Sequence, residues 1–212
     1  KSQQYVDLIT NHNKEAIIID LSSDHRFDKN WEYRIPELSD PVSLKKISNP
    51  GCYASAMQFM IAPILNILDG PVNLFGISGY SGAGASQNQR NNKELLKDNI
   101  LPYTLVKHLH EKEVQTHSYP DILFTPHVGN FFRGIMITGN FFVSKQSDPR
   151  EIMNLFTDFY REMSLIFIQE SPPNLQEVQN TSNVIIGGFE MDKTINRLTF
   201  CCALDNLLKG AA

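Results

Sequence analysis

The sequence is short of cysteine and carries no surplus of positive charge, with three Cys in 212 residues and 19 Lys and Arg against 23 Asp and Glu, a net charge of −4. Three cysteines cannot build a disulfide framework. A chain this long buries enough apolar surface to fold without one, so a reducing compartment suits it best. Lacking a dense cationic face, it has no general affinity for nucleic acid or for an anionic membrane surface, and an anionic ligand must be met by a few local cations. No apolar run approaches the ~20 residues that cross a bilayer. Metal-site spacing is missing as well. His110-Glu111 is followed by Val114 where a zinc protease motif has its second His, and no two Cys stand at finger spacing, so no metal is expected. Adjacent Cys201 and Cys202 point to opposite faces of a strand and read as core residues. Internal repeats and coiled-coil heptads are absent. No N-terminal signal is visible, and the chain opens on Lys1 in place of Met.

What is present is a succession of strands and helices. Residues 3–13 read as a helix and residues 16–21, Ala-Ile-Ile-Ile-Asp-Leu, as a strand buried on both faces of a parallel sheet. Helix then buried strand is half of a βαβ unit, which suits the last part of a doubly wound nucleotide-binding sheet. Residues 53–68 have helical periodicity interrupted by Pro63. A strand at 73–77 enters the run Ser78-Gly79-Tyr80-Ser81-Gly82-Ala83-Gly84, and the polar stretch 86–92 reads as a mobile loop. Further strands are expected at 121–125, ending in Pro126-His127, and at 134–143, 184–189 and 197–204. Residues 149–163 form an amphipathic helix with Asp148 as N-cap. Asp205 resembles the N-cap of a helix that stops after about two turns, below the length at which a helix stands alone. Both ends are therefore expected to fall inside the fold, and the pattern as a whole predicts a mixed α/β layer.

The sharpest local feature is Ser48-Asn49-Pro50-Gly51-Cys52-Tyr53. It places a thiol after a rigid Pro and a permissive Gly at the start of a helix. Free N–H groups and the positive end of the helix dipole there would stabilise a thiolate and later an oxyanion. A nucleophilic Cys needs a base, and His12, His25, His108, His110, His117 and His127 compete without spacing to choose among them. His110 and Glu113, three apart on a helix, share a face on which the carboxylate orients the imidazole, although on the residues alone a plain solvated face is the slightly better reading. The three glycines of the run 78–84 suit either close backbone approach to a ligand or a tight turn.

Together, Ile19-Asp20-Leu21-Ser22-Ser23-Asp24-His25-Arg26-Phe27, Asn49-Pro50-Gly51-Cys52-Tyr53, the run 78–84, His110-x-x-Glu113-Val114, Pro126-His127 with Arg133-Gly134-Ile135, and Asp205-Asn206-Leu207-Leu208-Lys209-Gly210-Ala211 resemble N-acetyl-γ-glutamyl-phosphate reductase in the same order. The wording of the 78–84 run and of the last nine residues is most similar to the fungal enzymes, in which the reductase is part of a mitochondrial arginine-pathway precursor. The resemblance implies a fold of the glyceraldehyde-3-phosphate dehydrogenase-like type. In it, residues 1–48 are the tail of a Rossmann NADP-binding domain, 49–204 a mixed-sheet catalytic and dimerisation domain, and 205–212 the start of a helix returning to the nucleotide domain. It implies Cys52 as nucleophile and His110 as acid/base. Ser78, Gly79, Ser81, Gly82, Ala83 and Asn206 are implied beside NADP; Arg26 and Arg133 are expected to hold the substrate anions, because an acidic chain must grip a phosphate and a carboxylate with local Arg, and Asn49 and Glu113 are placed toward the substrate with them. His127 reads as a buried structural imidazole. The implied reaction is NADPH-dependent reduction of the acyl phosphate to the semialdehyde through a Cys thioester, in arginine biosynthesis. A homodimer or homotetramer through the sheet face, a link to acetylglutamate kinase, and the mitochondrial matrix, or the cytoplasm if the source is not fungal, follow from the same resemblance. The rival readings are an aspartate-semialdehyde dehydrogenase-like enzyme, which a comparison with β-aspartyl phosphate separates, and a catalytically silent assembly domain, which Cys52→Ala separates.

Overall fold

The computed structural model describes residues 2–144 and 146–211; Lys1, Lys145 and Ala212, which fall in the ranges expected above, lie outside the described residues. Helix α1 (Gln3–His12) leads into strand β1 (Ile18–Asp20), and β2 (Glu32–Tyr33) and β3 (Lys46–Ser48) complete a parallel sheet in the order β1-β3-β2. The helix-then-strand reading holds, but burial on both faces does not. Ile17, Ile19 and Leu21 are exposed, because β1 is an outer strand and none of the described residues covers the face to which these alternate residues point.

Helix α2 (Cys52–Ile61) follows, with Gly51 as N-cap, and every residue from Tyr53 to Ile61 is buried. A helix covered all round has no face for water and forms the centre of the molecule. Pro63 interrupts it as expected, since the ring has no N–H to donate, and Ala62–Ile67 continue as a 3-10 helix. The remaining elements are β4 (Val72–Gly79), α3 (Lys93–Leu96), β5 (Ile100–Pro102), α4 (Leu109–His117), β6 (Ile122–Gly129), β7 (Ile135–Phe142), α5 (Pro149–Phe159), β8 (Ile166–Gln169), α6 (Leu175–Val178), β9 (Val184–Asp192) and β10 (Arg197–Leu204). Asp148 caps α5, with Glu151 returning the bond.

Seven strands form one mixed sheet in the order β5-β6-β4-β7-β10-β9-β8, with β4–β6 and β8–β9 parallel and the other pairs antiparallel. This is the mixed α/β layer that the sequence pattern predicts. One face packs under α2, α4 and α5, where Phe59, Phe124, Phe141, Phe156 and Phe200 are fully buried. Each such side chain contributes about 1.5–3 kcal/mol of burial. The alternate residues form a second face, where α6 packs Leu175 and Val178 on Met136, Ile185 and Ala203 and the rest is open, carrying Phe75, Leu123 and Phe167. Cys202 lies in the core and Cys201 on this second face, diverging as neighbours on a strand must.

Two local expectations fail. Residues 86–92 are pinned: the Asn88 amide donates to the Ala83 and Ser86 carbonyls, the Asn91 amide donates to those of Gly84 and Ser86, and Asn88 Oδ1 accepts from the Arg90 N–H. Short amide side chains satisfy turn carbonyls in this way, so the polar composition that suggested mobility supplies the clamps. After Asp205, whose carboxylate accepts from the Leu207 N–H at 2.8 Å, the chain closes in a turn with the Gly210 N–H on the Asp205 carbonyl, and no helix forms among the described residues.

Candidate active site

Cys52 is the first residue of the buried helix α2, so its sulfur faces the backbone N–H groups of residues 52 and 53. Burial nevertheless pushes the thiol up to about 11; those N–H groups and the Arg26 charge pull the other way, and Glu113 adds to the rise. The expected resting thiolate is thus corrected to a neutral thiol, because the loss of solvent outweighs the helix terminus. Gly210 packs against the Cys52 β-carbon from the far side, where a larger residue has no room.

Glu113, on α4, is fully buried beneath this turn. Its carboxylate accepts from Arg26 Nη1 at 2.7 Å, the Gly51 N–H at 2.9 Å and the Tyr33 hydroxyl at 3.1 Å. Tyr33 in turn accepts from Gln58, which also donates to the Ala54 carbonyl inside α2. Arg26 Nε donates to the Asn49 carbonyl at 2.9 Å. Glu113 therefore ties the first strands, the turn before Cys52 and α4 together, and its oxygens face these internal donors, not the substrate contact expected of it. Arg26 is likewise held by Glu113 and Asn49, and the Asn49 amide donates to the Pro50 carbonyl. A β-carbon at residue 51 would overlap the His110 imidazole and crowd Arg26, so only glycine fits there.

His110 Nε2 lies 4.0 Å from the Glu113 carboxylate, and Nδ1 is buried with no partner among the described residues. Burial, then the neighbouring His108 and Arg26, hold this imidazole well below the usual histidine range, so it rests neutral. His108 caps α4, accepting the His110 N–H on Nδ1, which assigns the ring proton of its neutral form to Nε2. Burial and then the Arg90 charge push His108 down to about 4. Cys52, His108 and His110 line one cleft of 220 Å³ with Tyr103 and Arg90. The clamped loop and β5 deliver these last two: the Arg90 guanidinium stands 4.8 Å from the centre of the Tyr103 ring. The sequence reading missed Arg90 and Tyr103. His108 was visible only as one of six histidines, and its spacing from His110 was the available signal.

The 78–84 run divides. Ser78 and Gly82 line the cleft, and a β-carbon at Gly82 would sit 3.5 Å from both Ser78 Oγ and the Asn206 amide, so the glycine keeps a notch open between them. Gly79 is pinned under the Phe132 and Arg133 backbone, Ser81 accepts from Asn206 Nδ2 at 3.0 Å, and the Ala83 carbonyl is taken by Asn88. Asn206 Oδ1 accepts from the Gly134 N–H at 2.6 Å, which leaves one amide N–H toward the notch. Arg133 does not line the cleft; it grips the fully buried Asp205 and the Asn180 side chain. His127 lies half-buried on the open sheet face, 4.4 Å from the Phe75 ring, away from Cys52.

Residues 52–206 match the family model described as semialdehyde dehydrogenase, dimerisation domain. The chain is 41% identical to an N-acetyl-gamma-glutamyl-phosphate reductase of Xanthomonas campestris pv. campestris, covering all of this chain and 68% of that protein. It is also 41% identical to the mitochondrial protein arg11 of Schizosaccharomyces pombe over 98% of its own length, and spans about a quarter, 24%, of that relative. Among solved structures, aspartate semialdehyde dehydrogenase II of Vibrio cholerae superposes with a TM-score of 0.79 at 17% identity, over 99% of this chain and 72% of that one.

Proposed function

This chain belongs to the N-acetyl-γ-glutamyl-phosphate reductase family, and from that premise we propose that it carries the thiol chemistry of such an enzyme. The substrate is N-acetyl-γ-glutamyl phosphate, the product is the 5-semialdehyde, and the pathway is arginine biosynthesis. The carrying observation is a half-buried thiol at a helix N-terminus in one cleft with a neutral imidazole whose Nδ1 has no partner among the described residues. The Cys52 sulfur attacks the acyl carbon while its proton passes to His110, and the C–O bond to phosphate breaks with the electron pair on oxygen. The N–H groups that face the sulfur are placed to hold the oxyanion of the addition step. His110 delivers its proton to the departing phosphate, leaving a thioester on Cys52. Once the thioester has taken up hydride and a proton from solvent to become a thiohemiacetal, its collapse breaks the C–S bond, the hydroxyl proton passes through His110 to the sulfur, and the aldehyde leaves.

A bound NADPH supplies hydride to this sequence. The notch kept open by Gly82 between Ser78 and Asn206 fits the nicotinamide end, and these three residues would hold it. Residues 1–48 are read as the tail of the NADP domain and 49–204 as the catalytic domain. Arg26, Asn49 and Glu113 are read as the frame that positions Cys52 and His110, and Arg133 as the brace of the final turn. Assembly is through the open sheet face, as a homodimer or homotetramer. A link to acetylglutamate kinase and the mitochondrial matrix go with the fungal likeness. The test is NADPH oxidation by the full-length protein with N-acetyl-γ-glutamyl phosphate and with β-aspartyl phosphate. The first is turned over in preference, and Cys52→Ala loses about a thousandfold or more in kcat. Preference for the second, or an active Cys52→Ala protein, contradicts the reading.

A further inference from the structure

The cleft around Cys52 is almost empty of charge. Its thiol is neutral, its tyrosines are un-ionised, and burial keeps both histidines uncharged at neutral pH. Among the residues that line it, Arg90 alone carries a formal charge. The other arginines near the site are already bound, Arg26 to Glu113 and Arg133 to Asp205. The Arg90 guanidinium makes no ion pair or hydrogen bond among the described residues; only its backbone N–H is bonded, to Asn88. It rests over the Tyr103 ring, a contact that holds a cation without neutralising it, and the asparagine clamps fix the loop that presents it. A single unneutralised cation in a partly desolvated cleft beside the thiol is a site for an anion.

We propose that Arg90 receives the phosphate of the acyl phosphate, and inorganic phosphate in the reverse direction. This deepens the proposed function and rests on it. The phosphate is bonded to the carbon that Cys52 attacks, so it must occupy this cleft, whereas the substrate carboxylate stands several carbons away. The planar guanidinium matches a phosphate with two parallel N–H bonds. As the C–O bond breaks, charge builds on the phosphate oxygen, and the pull of Arg90 grows with it.

The first arm needs neither cofactor nor acyl phosphate. In the full-length protein, alkylation of the Cys52 peptide is followed by mass spectrometry with neutral iodoacetamide and anionic iodoacetate. Inorganic phosphate slows alkylation of the native protein. Arg90→Met and Arg90→Gln abolish that protection and lower the iodoacetate-to-iodoacetamide rate ratio about fivefold or more, while Arg90→Lys keeps the ratio and part of the protection. Protection and ratio unchanged in Arg90→Met or Arg90→Gln overturn the proposal. The second arm is the reverse reaction, in which Arg90→Gln raises KM for phosphate about tenfold and leaves KM for the semialdehyde within about twofold. A rise confined to the semialdehyde assigns Arg90 to the carboxylate and overturns the proposal. If the native protein shows Arg90-dependent phosphate protection but no reductase activity, the anion site stands and the functional reading falls.

Discussion

At the scale of single residues, the cleft works because burial sets protonation states that the helix terminus alone would not. With the Cys52 thiol near 11, thiolate is scarce at neutral pH, and in the proposed reaction deprotonation is coupled to His110. Alkylation of Cys52 by iodoacetamide should therefore rise about tenfold per pH unit from pH 7 to near 10. A plateau by pH 8 would mean a thiol of ordinary or depressed acidity. The histidines give the opposite limb. Folding depresses both, so their contribution is intact above 6.5 and is lost as pH falls toward 4, where the unfolded chain binds protons that the cleft refuses. The urea midpoint should fall across that window, and His108→Asn, which keeps a capping acceptor, should flatten the fall; an unchanged pH dependence contradicts it. Cys52 was legible because Pro-Gly-Cys entering an apolar helix has few other uses. Arg90 was not, since a lone Arg among asparagines looks like solvated loop until the fold sets it over Tyr103.

At the scale of elements, α2 and α4 are held in register by Glu113, which joins the turn before Cys52 to the helix that bears His110. Glu113→Ala leaves the Arg26 cation and the Gly51 N–H buried and unpaired, and should cost about 3–5 kcal/mol in urea unfolding. Glu113→Gln keeps an acceptor for Gly51. It should lose less stability but still lower kcat and shift the pH–rate profile, since His110 loses the charge it faces. Equal stability losses in the two variants would show that the acceptor kept by Gln contributes nothing. The long strands β7, β9 and β10 were readable because their alternate residues are apolar and lie over the core. The short strands β2 and β3 were not, because two or three residues carry no period. Burial of 16–21 was over-read, since an apolar run looks the same whether one face or two are covered.

At the scale of the whole molecule, one face of the seven-stranded sheet packs under α2, α4 and α5, while the other is covered by α6 over Ile185 and Ala203 and is open elsewhere, with Phe75 42%, Leu123 53% and Phe167 47% exposed on it. Large exposed apolar side chains on a continuous sheet face mark an association surface, and a second copy of the chain is the proposed occupant. A Phe75→Glu, Leu123→Glu double variant should sediment as a smaller species than the native protein while its far-ultraviolet circular dichroism is retained. An unchanged assembly would place the contact elsewhere. The mixed α/β class was visible in the alternation of strands and helices, whereas strand order depends on long-range pairing that local pattern does not carry.

The central claim is that the sulfur of Cys52 takes the acyl group. Its most direct measurement is intact-protein and peptide mass spectrometry of the full-length protein after brief reaction with N-acetyl-γ-glutamyl phosphate, reduced nicotinamide being left out so that the thioester accumulates. The account predicts an N-acetylglutamyl adduct confined to the Cys52 peptide, removed by hydroxylamine and absent from Cys52→Ser under conditions where oxygen esters survive. Turnover with no adduct on that peptide, or an adduct on Cys201 or Cys202 instead, would contradict it.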